Sequence, residues 1–351
     1  MRRRLVNIVL VIAAAFALAA CHRRPLEDLS EQVLVKVRIN IEAISNITEN
    51  VYNPAIPVPR PTTDMMRVMA YDPGTKKLLT QSFIFDKAVE ADGTEVLSGT
   101  LPISHGNYDF VIYNFDTPTT QVKDENREDL IIAYTDEISM AQKSRYFGTK
   151  TDFTDYDNLK IDYEPDHLLV AREHNFRISP HDTLVIINTD ASTIIDTYYI
   201  QIHVENAQYM SAEGATAVIS GLSPSNRFGI PFRTDDPSTA VVFDLQKSTD
   251  PKLPYTNKDV ICAVFNTFGK IEDLDSDLHV TFSVKDVAGN YQTYDTSLNT
   301  VFKTEDAIER HWLLIQDTFI IEPPVVGPTN GEGGFQPVVD DWVEEQGNIT
   351  L

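Results

Sequence analysis

Cysteine and positive charge are both scarce in this sequence of 351 residues, and each shortage excludes a class of protein. The two cysteines, Cys21 and Cys262, are too few to form a disulfide framework. Lysine and arginine together number 29 against 52 aspartates and glutamates, which leaves a formal net charge of −23. A chain this acidic is repelled by phosphate backbones and by anionic lipid surfaces. We therefore expect no nucleic-acid partner.

The motifs that carry common enzyme chemistry are also missing. The sequence contains no glycine-rich phosphate loop, no GxSxG nucleophile elbow and no HExxH zinc motif. Its eight histidines are scattered without metal-ligand spacing, and the acid–histidine pairs Glu173-His174 and His181-Asp182 have no nucleophile nearby in the sequence. The sequence therefore predicts a protein that is not an enzyme, with no catalytic residues, no metal site and no cofactor.

One acidic stretch resembles the start of a calcium-binding loop. Asp273, Asp275 and Asp277 occur at every second position, as in an EF-hand. However, the glycine required at the sixth position is Leu278, and the glutamate required at the twelfth is Val284. We interpret this stretch as a solvated acidic turn before a strand.

The first residues have the pattern of a secretory signal. Residues 2–4 are arginines, residues 5–17 are apolar apart from Asn7, and a Leu-Ala-Ala sequence precedes Cys21. The apolar run is too short to span a bilayer comfortably. Leu-Ala-Ala-Cys resembles a bacterial lipobox, which implies a signal peptide at residues 1–20, lipidation of Cys21 and a tether at residues 21–32. Because His22 rather than aspartate follows, we expect the outer membrane. The alternative is an uncleaved membrane anchor with an incidental cysteine.

Strand patterns dominate the rest of the chain. Apolar and polar residues alternate in three segments, whose apolar positions are Val35, Val37, Ile39 and Ile41; Tyr198, Ile200, Ile202 and Val204; and Val280, Phe282 and Val284. Each pattern predicts a strand with one face on a core and the other in solvent, the solvent face including Tyr199, His203, His279 and Ser283. Residues 108–115, 184–188 and 260–265 are largely apolar at successive positions. We expect central strands there, with Cys262 buried as a small hydrophobe.

Helical periodicity is scarce, and residues 304–310 are the segment predicted to form one or two helical turns. Strands without intervening helices indicate antiparallel sheets joined by hairpins and Greek-key crossings, so the sequence predicts an all-β protein. A polar passage at residues 172–181 separates two strand-rich halves. We therefore expect β-sandwich domains at residues 33–175 and 176–321. Residues 322–351 form a linker rich in glycine and proline, followed by an acidic, partly apolar tail.

Four segments, taken in their order along the chain, resemble a known family. They are the lipobox followed by Arg23-Arg24-Pro25-Leu26, residues 106–117 (GNYDFVIYNFDT), residues 219–222 (ISGL) and residues 333–342, which end in VDDW. Together they resemble the fimbrillin-like and fimbrial-anchor lipoproteins of type V pili in anaerobic Gram-negative bacteria. The resemblance implies two tandem transthyretin-like Greek-key β-sandwich domains, export as an outer-membrane lipoprotein, and a non-enzymatic role with other fimbrial subunits as partners.

The resemblance also implies a mode of assembly. In type V pili an extended segment of one subunit fills a groove in the next, so that main-chain hydrogen bonds and alternate side chains hold the pair together. The tail is the candidate donor, with Phe335, Val339, Trp342 and Val343 as its apolar contacts. Alternatively, the tail packs on its own second domain, because Pro337 lacks an N–H and acidic residues interrupt both faces. Arg38 lies inside the first predicted strand with no clear cleavage site before it, which favours an anchor or accessory subunit.

Two functions therefore remain open. The first is a fimbrial anchor or accessory subunit, held to the membrane through lipid on Cys21 and acting through strand contacts with other subunits. The second is a surface lipoprotein that captures glycans beside a nutrient-uptake system. The first predicts a strand-shaped apolar groove or an extended tail. The second predicts an exposed aromatic cluster on a sandwich edge or at a loop tip.

Overall fold

The computed structural model describes residues 32–39, 62–115, 117–147, 159–180, 185–230, 232–233, 238–247, 260–271, 278–298 and 312–324. Within these ranges it contains nineteen strands, one α-helix and two 3₁₀ helices, which confirms the predicted all-β class. The described part of the chain has no helix that is both long and apolar enough to cross a membrane. Several predicted features lie outside the described residues: the signal peptide, Cys21, the acidic stretch around Asp275, the helical turn at 304–310 and the tail residues Phe335, Val339, Trp342 and Val343.

An eight-stranded sheet, called the first sandwich here, forms the N-terminal part of the fold. Its strands are β1 (Gln32–Ile39), β2 (Met66–Tyr71), β3 (Leu78–Ile84), β4 (Asp86–Val89), β5 (Glu95–Pro102), β6 (Gly106–Asn114), β9 (Leu169–Ile178) and β10 (Val185–Thr193). Their order is β3-β2-β6-β9-β10-β1-β5-β4. The sheet folds into two layers because β10 pairs first with β1, through Val185–Ala191, and then with β9, through Ser192 and Thr193.

The core of the first sandwich lies between these layers. Every second residue of β1 is buried there, at Val33, Val35, Val37 and Ile39. The alternation predicted from Val35 is thus confirmed as far as Ile39, and Ile41 lies outside the described residues. The strand β6, predicted to be buried on both faces, is buried from Tyr108 to Asn114. Its Phe110 and Ile112 enter this core, whereas Val111 and Tyr113 pack on the opposite side of the sheet.

A seven-stranded sheet forms the second sandwich. Its strands are β11 (Asp196–Glu205), β12 (Met210–Leu222), β15 (Thr239–Lys247), β16 (Val260–Thr267), β17 (His279–Asp286), β18 (Tyr291–Ser297) and β19 (Trp312–Ile320), in the order β18-β17-β12-β15-β16-β11-β19. The strand β15 belongs to both layers, because it pairs with β12 over most of its length and with β16 at Gln246 and Lys247. Inward residues such as Tyr198, Phe265 and Phe282 fill one core.

A smaller four-stranded sheet joins the two halves and is called the bridging sheet. It consists of β7 (Gln121–Lys123), β8 (Ile132–Tyr134), β13 (Ser225–Arg227) and β14 (Phe232–Arg233). The strands β7 and β8 precede β9 in the chain, and β13 and β14 follow β12. The bridging sheet therefore combines segments from the N-terminal and the C-terminal halves of the chain. Its residues and their neighbours cover the outer face of β2 and β6, where Tyr71 and Tyr113 pack with Phe228 and Phe268.

Short helices complete the structure. The helix α1 (Met140–Phe147) covers the outer face of β12, where its Phe147 belongs to one apolar cluster with Val218 and Ile161. A capping box starts this helix, since Gln142 Oε1 accepts a hydrogen bond from the N–H of Ser139 and the hydroxyl of Ser139 accepts one from the N–H of Gln142. The 3₁₀ helices span Glu128–Leu130 and Ala207–Tyr209.

Several burial predictions were wrong, and the layering of the sheets explains them. Residues 184–188 were predicted to be buried on both faces, but Ile186 of β10 is 38% exposed because one side of that layer faces solvent. Conversely, Tyr199 and Ser283 were predicted to face solvent and are buried. The outer face of β11 is covered, since Thr197 and Gln201 on the side of Tyr199 are buried as well.

The strand directions also differ in part from the prediction. Most pairs are antiparallel, but β1 pairs in parallel with β10, and β11 pairs in parallel with β19. Residues 172–181 do not form a separating polar passage, because most of them belong to β9, which pairs with β6. The predicted division after residue 175 therefore falls inside β9. The chain leaves the first sandwich at the end of β10, Thr193, and enters the second at the start of β11, Asp196. We propose the domain boundary between these two residues.

Candidate functional site

The two end strands of the second sandwich, β18 and β19, approach each other without forming a backbone ladder. Side chains span the seam between them: the hydroxyl of Tyr294 donates a hydrogen bond to Asp317 Oδ2 (2.8 Å). Gln292 and the backbone of Glu322 exchange two hydrogen bonds, one through the Gln292 amide to the Glu322 carbonyl (2.9 Å) and one through the Glu322 N–H (2.8 Å). Among the described strands, β17 is the only ladder partner of β18, and β11 is the only one of β19.

A groove of about 580 Å³ opens at this seam. It is lined by Asp286, Asn290, Gln292, Thr293, Phe319, Ile320, Glu322, Pro323 and Pro324. Phe319 is buried against Phe282 and Tyr294, whereas the neighbouring Ile320 is 58% exposed. The groove therefore combines an apolar floor and rim with polar groups, beside two strand edges. It also lies where the described chain ends, and Glu322, Pro323 and Pro324 of its lining are the first residues of the predicted linker.

The first sandwich closes differently. Its end strands β3 and β4 are separated by a single residue, Phe85, so the chain itself connects the two ends of the sheet. A hydrogen bond from the Ser82 hydroxyl of β3 to the Thr100 carbonyl of β5 (3.1 Å) also joins the layers at this end. Within the described residues, a seam between end strands that no short turn connects is therefore found in the second sandwich and not in the first.

An aromatic cluster lies on the edge of the first sandwich. Phe83 of β3 and Phe115 have ring centroids 5.3 Å apart and are 41% and 38% exposed. The guanidinium of Arg67 lies 5.7 Å from the Phe83 centroid, and it pairs with the carboxylate of Glu125. Phe85, two residues after Phe83 in the chain, is 64% exposed. Exposed ring faces beside polar groups can stack against the apolar face of a sugar or another extended ligand.

A cluster of charged residues connects the first sandwich to the 3₁₀ helix between β7 and β8, and it is called the polar junction. The ammonium of Lys76 binds Asp109 Oδ2 (2.6 Å) and Glu128 Oε2 (2.8 Å). The imidazole Nδ1 of His174 lies 3.7 Å from Asp109 Oδ1 and 3.4 Å from Glu128 Oε1. Both carboxylates are buried, whereas the His174 side chain is 54% exposed. Each side chain therefore contacts at least two others in a site that opens to solvent at His174.

The backbone brings these residues together in three ways. Lys76 has a left-handed conformation, with φ of 59°, in the turn between β2 and β3. Glu128 begins a 3₁₀ helix, and its N–H donates to the Lys76 carbonyl (2.9 Å). The strand β9 has a bulge opposite Asp109, with Asn175 at φ of 52°. Bulges re-aim side chains in this way, and here the bulge turns His174 toward the two carboxylates.

Burial separates the pKa values of the two carboxyl groups. Burial raises the pKa of Glu128, and the negative charge of Asp109 raises it further, although Lys76 opposes both effects. Burial alone would also raise the pKa of Asp109, but hydrogen bonds from Lys76 and from the N–H of Asn175 outweigh it and hold that pKa below its usual value. The neighbours of Asp109 therefore more than offset the cost of burying its charge, whereas those of Glu128 do not.

Sequence reasoning found parts of this picture. Cys262 is buried as expected, with its thiol 3.8 Å from the Gln246 carbonyl. The sequence pairs His174 only with its neighbour Glu173, whereas its actual partners come from distant parts of the chain. The sequence signals that could have found them are weak, since Asp109 lies within an apolar run and Glu128 within an acidic one. The predicted lipidation site and donor tail lie outside the described residues.

Comparison with known proteins places the chain in a family. The sequence profile of a domain of unknown function, DUF5119, matches residues 57–244. The match covers more than half of the chain, so this protein belongs to that family. A search of curated proteins found no match.

Solved structures share the fold at low sequence identity. A candidate adhesin from Bacteroides ovatus ATCC 8483 has a TM-score of 0.54 and 12% identity, and the match covers 87% of this chain and 97% of that one. A candidate polysaccharide-binding protein, DUF1812, from Bacteroides thetaiotaomicron VPI-5482 has a TM-score of 0.50 and 12% identity over 83% and 91%. The fimbrial anchor protein Mfa2 from Porphyromonas gingivalis has a TM-score of 0.46 and 13% identity over 82% and 90%. At the level of the fold, the first two of these structures confirm the resemblance that the sequence motifs predict.

Proposed function

We propose that this protein is a non-enzymatic outer-membrane lipoprotein that serves as an anchor or accessory subunit of a type V fimbrium. It is held at the cell surface by lipid on Cys21 and contacts other fimbrial subunits through β-strands. The fold that it shares with a candidate adhesin over 97% of that chain supports the class. The lipobox supports the tether, and the tandem sandwich domains are the expected framework of such a subunit.

The seam between β18 and β19 carries the proposal. An extended segment laid along an edge strand gains main-chain hydrogen bonds, and its alternate side chains fill pockets. The β18 side chains alternate between half-buried and exposed from Gln292 onward, and the groove beside them has Phe319 and Ile320 as its apolar contacts. A partner subunit's strand is the occupant that we propose. The chain's own tail, through Phe335, Val339, Trp342 and Val343, is either donated to a partner or returned to this groove.

Co-purification from outer membranes tests the proposal. The full-length chain is compared with a chain truncated after Gly334 and with the full-length variant Ile320→Glu, which places a charge in the groove. Ile230→Glu is the matched control, because Ile230 is 51% exposed and is not a lining residue of the groove. We expect fimbrial subunits to accompany the wild type and the control and to be lost with Ile320→Glu.

The two variants separate the roles of the tail and the groove. Loss of partners with both the truncation and Ile320→Glu means that assembly requires tail and groove together. Loss with Ile320→Glu alone makes the groove an acceptor and removes the tail as donor. If the wild type brings down no protein partner, the anchor function is wrong.

Glycan capture is the second candidate, and the exposed Phe83 and Phe115 pair favours it. This is the aromatic cluster on a sandwich edge that glycan binding was expected to require, and a structure with the same fold is named as a candidate polysaccharide-binding protein. A glycan array probed with the full-length chain and with Phe83→Ala tests it. Val89→Ala is the control, since Val89 is exposed on β4 and is aliphatic. Equal glycan binding by both variants and the wild type would rule out this platform.

A further inference from the structure

The oxygens of the polar junction are divided between two neighbours. Lys76 takes one oxygen of each carboxylate, Asp109 Oδ2 and Glu128 Oε2. The remaining oxygens, Asp109 Oδ1 and Glu128 Oε1, face the imidazole of His174. One nitrogen and two oxygens therefore converge on the same small space, and one ligand atom from each of the three residues lies within 4.8 Å of the others.

The spacing of these atoms matches a first-row transition metal. Zinc binds imidazole nitrogen and carboxylate oxygen at about 2.0–2.2 Å, which in a tetrahedron places the ligand atoms about 3.4 Å apart. The His174 Nδ1 atom lies 3.4 Å from one oxygen and 3.7 Å from the other. These two nitrogen–oxygen distances differ from the tetrahedral spacing by at most a few tenths of an ångström, and the two carboxyl groups offer oxygens within 4.8 Å of each other. The solvent-exposed side of His174 leaves the fourth position to water.

A buried oxygen without a hydrogen-bond partner also points to a ligand. Glu128 is completely buried, and within the described structure its Oε1 atom has no hydrogen-bond partner. Burying an unsatisfied carboxylate oxygen is costly, and natural proteins usually offset it with a donor or a cation. Asp109 Oδ1 is also oriented for a ligand, because the N–H of Asn175 donates to it (2.8 Å), as outer hydrogen bonds do around metal sites.

We propose that Asp109, Glu128 and His174 bind one divalent transition metal of the zinc class. Lys76 orients both carboxylates, and it does so from the oxygens that the metal does not use. The guanidinium of Arg172 acts electrostatically on Glu128 but donates to the Phe228 carbonyl (3.1 Å). Bound metal would join β6, the bulge of β9 and the 3₁₀ helix at Glu128, next to the point where chain from the second half packs on the first.

Calorimetric titration of Zn²⁺ into the purified full-length chain tests the proposal. A Cys21→Ser background removes the competing thiol outside the described structure. We expect one equivalent of Zn²⁺ to bind, and binding to weaken at least tenfold in His174→Ala, since even outer partners of metal ligands contribute about 10–100-fold. His279→Ala is the matched control, because His279 Nδ1 lies 3.4 Å from one carboxylate, that of Asp295, instead of two.

A second variant and a second metal distinguish this site from nonspecific binding of Zn²⁺ to surface acids. Glu128→Gln should also weaken binding at least tenfold, and Co²⁺ should give the intense visible absorption of a four-coordinate site that His174→Ala removes. His174 is exposed, so its variant folds even if Glu128→Gln does not. Absence of a stoichiometric Zn²⁺ site in the wild type would overturn the proposal and leave His174 as an ion-pair partner of the two carboxylates. Equal affinity in the wild type and His174→Ala would overturn it as well.

Discussion

Glu164 offers a sharp test of how the second sandwich is joined to the chain before it. This residue follows α1 in the segment that leads to β9, and its Oε1 accepts a hydrogen bond from the N–H of Asn266 in β16 (2.8 Å). Burial raises the pKa of Glu164 to about 7, the Asn266 hydrogen bond opposes this, and the charge of Asp166 adds to it. The folded state therefore holds a proton on Glu164 at pH values where the unfolded chain has lost it.

The sign and size of the effect follow from this difference. The unfolded chain ionises Glu164 near pH 4.5 and the folded chain near pH 7. The stabilising contribution of the protonated group is fully present below pH 4.5, and it is lost as the pH rises from 4.5 through 7. One unit of pKa corresponds to about 1.4 kcal/mol, so the contribution of Glu164 to the free energy of unfolding falls by about 3 kcal/mol across this window.

The variant Glu164→Gln removes the charge and keeps an oxygen that can accept the Asn266 hydrogen bond. Urea unfolding at pH 5 and pH 8 measures the free energy of unfolding of the variant relative to the wild type. We expect this difference to change in favour of the variant by about 2.5 kcal/mol between the two pH values. Glu90→Gln is the control, because it removes the same charge from a half-exposed side chain. Parallel pH profiles for Glu164→Gln and the wild type would refute the reasoning.

Three further predictions concern other parts of the fold. Burial lowers the pKa of His167 to about 4, so the contribution of His167 to the free energy of unfolding should fall as the pH drops from 6.5 to 4. The free energy of unfolding of His167→Gln relative to the wild type should therefore shift in favour of the variant over this range in urea unfolding. A Cβ on Gly229 would lie 1.8 Å from the backbone carbonyl oxygen of Glu128, so Gly229→Ala should lower the free energy of unfolding by about 3 kcal/mol in urea unfolding. Gly93→Ala, at a position with positive φ and no atom within 4 Å of the added Cβ, should lower the free energy of unfolding by only about 1 kcal/mol. Equal losses of stability in the two variants would contradict the close contact at Gly229. Tyr199→Phe should be neutral or stabilising by up to about 1 kcal/mol, because the buried Tyr199 hydroxyl has no partner in the described structure. Tyr71→Phe should instead lose about 1 kcal/mol with its 2.9 Å hydrogen bond to a backbone carbonyl, and a similar loss in both would argue against an unsatisfied Tyr199.

Local sequence patterns were sufficient to predict which residues are buried where one face of a strand packs on a core. The alternation of β1 correctly predicts burial of Val35, Val37 and Ile39, because successive side chains of a strand point to opposite sides. The capping box of Ser139 and Gln142 is also a local signal, and it marks the start of α1, a helix that was not predicted. Buried runs such as Val260–Phe265 were also recognisable from composition alone.

Burial on the second face was not predictable in this way. Ile186 and Tyr199 have opposite exposures, although each lies in a strand with apolar residues at alternate positions. What covers the outer face depends on segments far away in the chain, such as α1 over β12. The parallel pairing of β1 with β10 and of β11 with β19 likewise depends on the order in which the layers assemble.

The amino-acid sequence by itself determined the strand-rich class, the acidic surface, the absence of a disulfide framework and the lipobox pattern, because composition and short-range periodicity carry them. Tertiary structure alone decided the seam at the end of the second sandwich and the polar junction. Lys76, Asp109, Glu128 and His174 have no common spacing in the sequence. A left-handed turn, a 3₁₀ helix and a β-bulge bring them within hydrogen-bonding or ion-pairing distance, and such convergence depends on contacts between residues far apart in the chain.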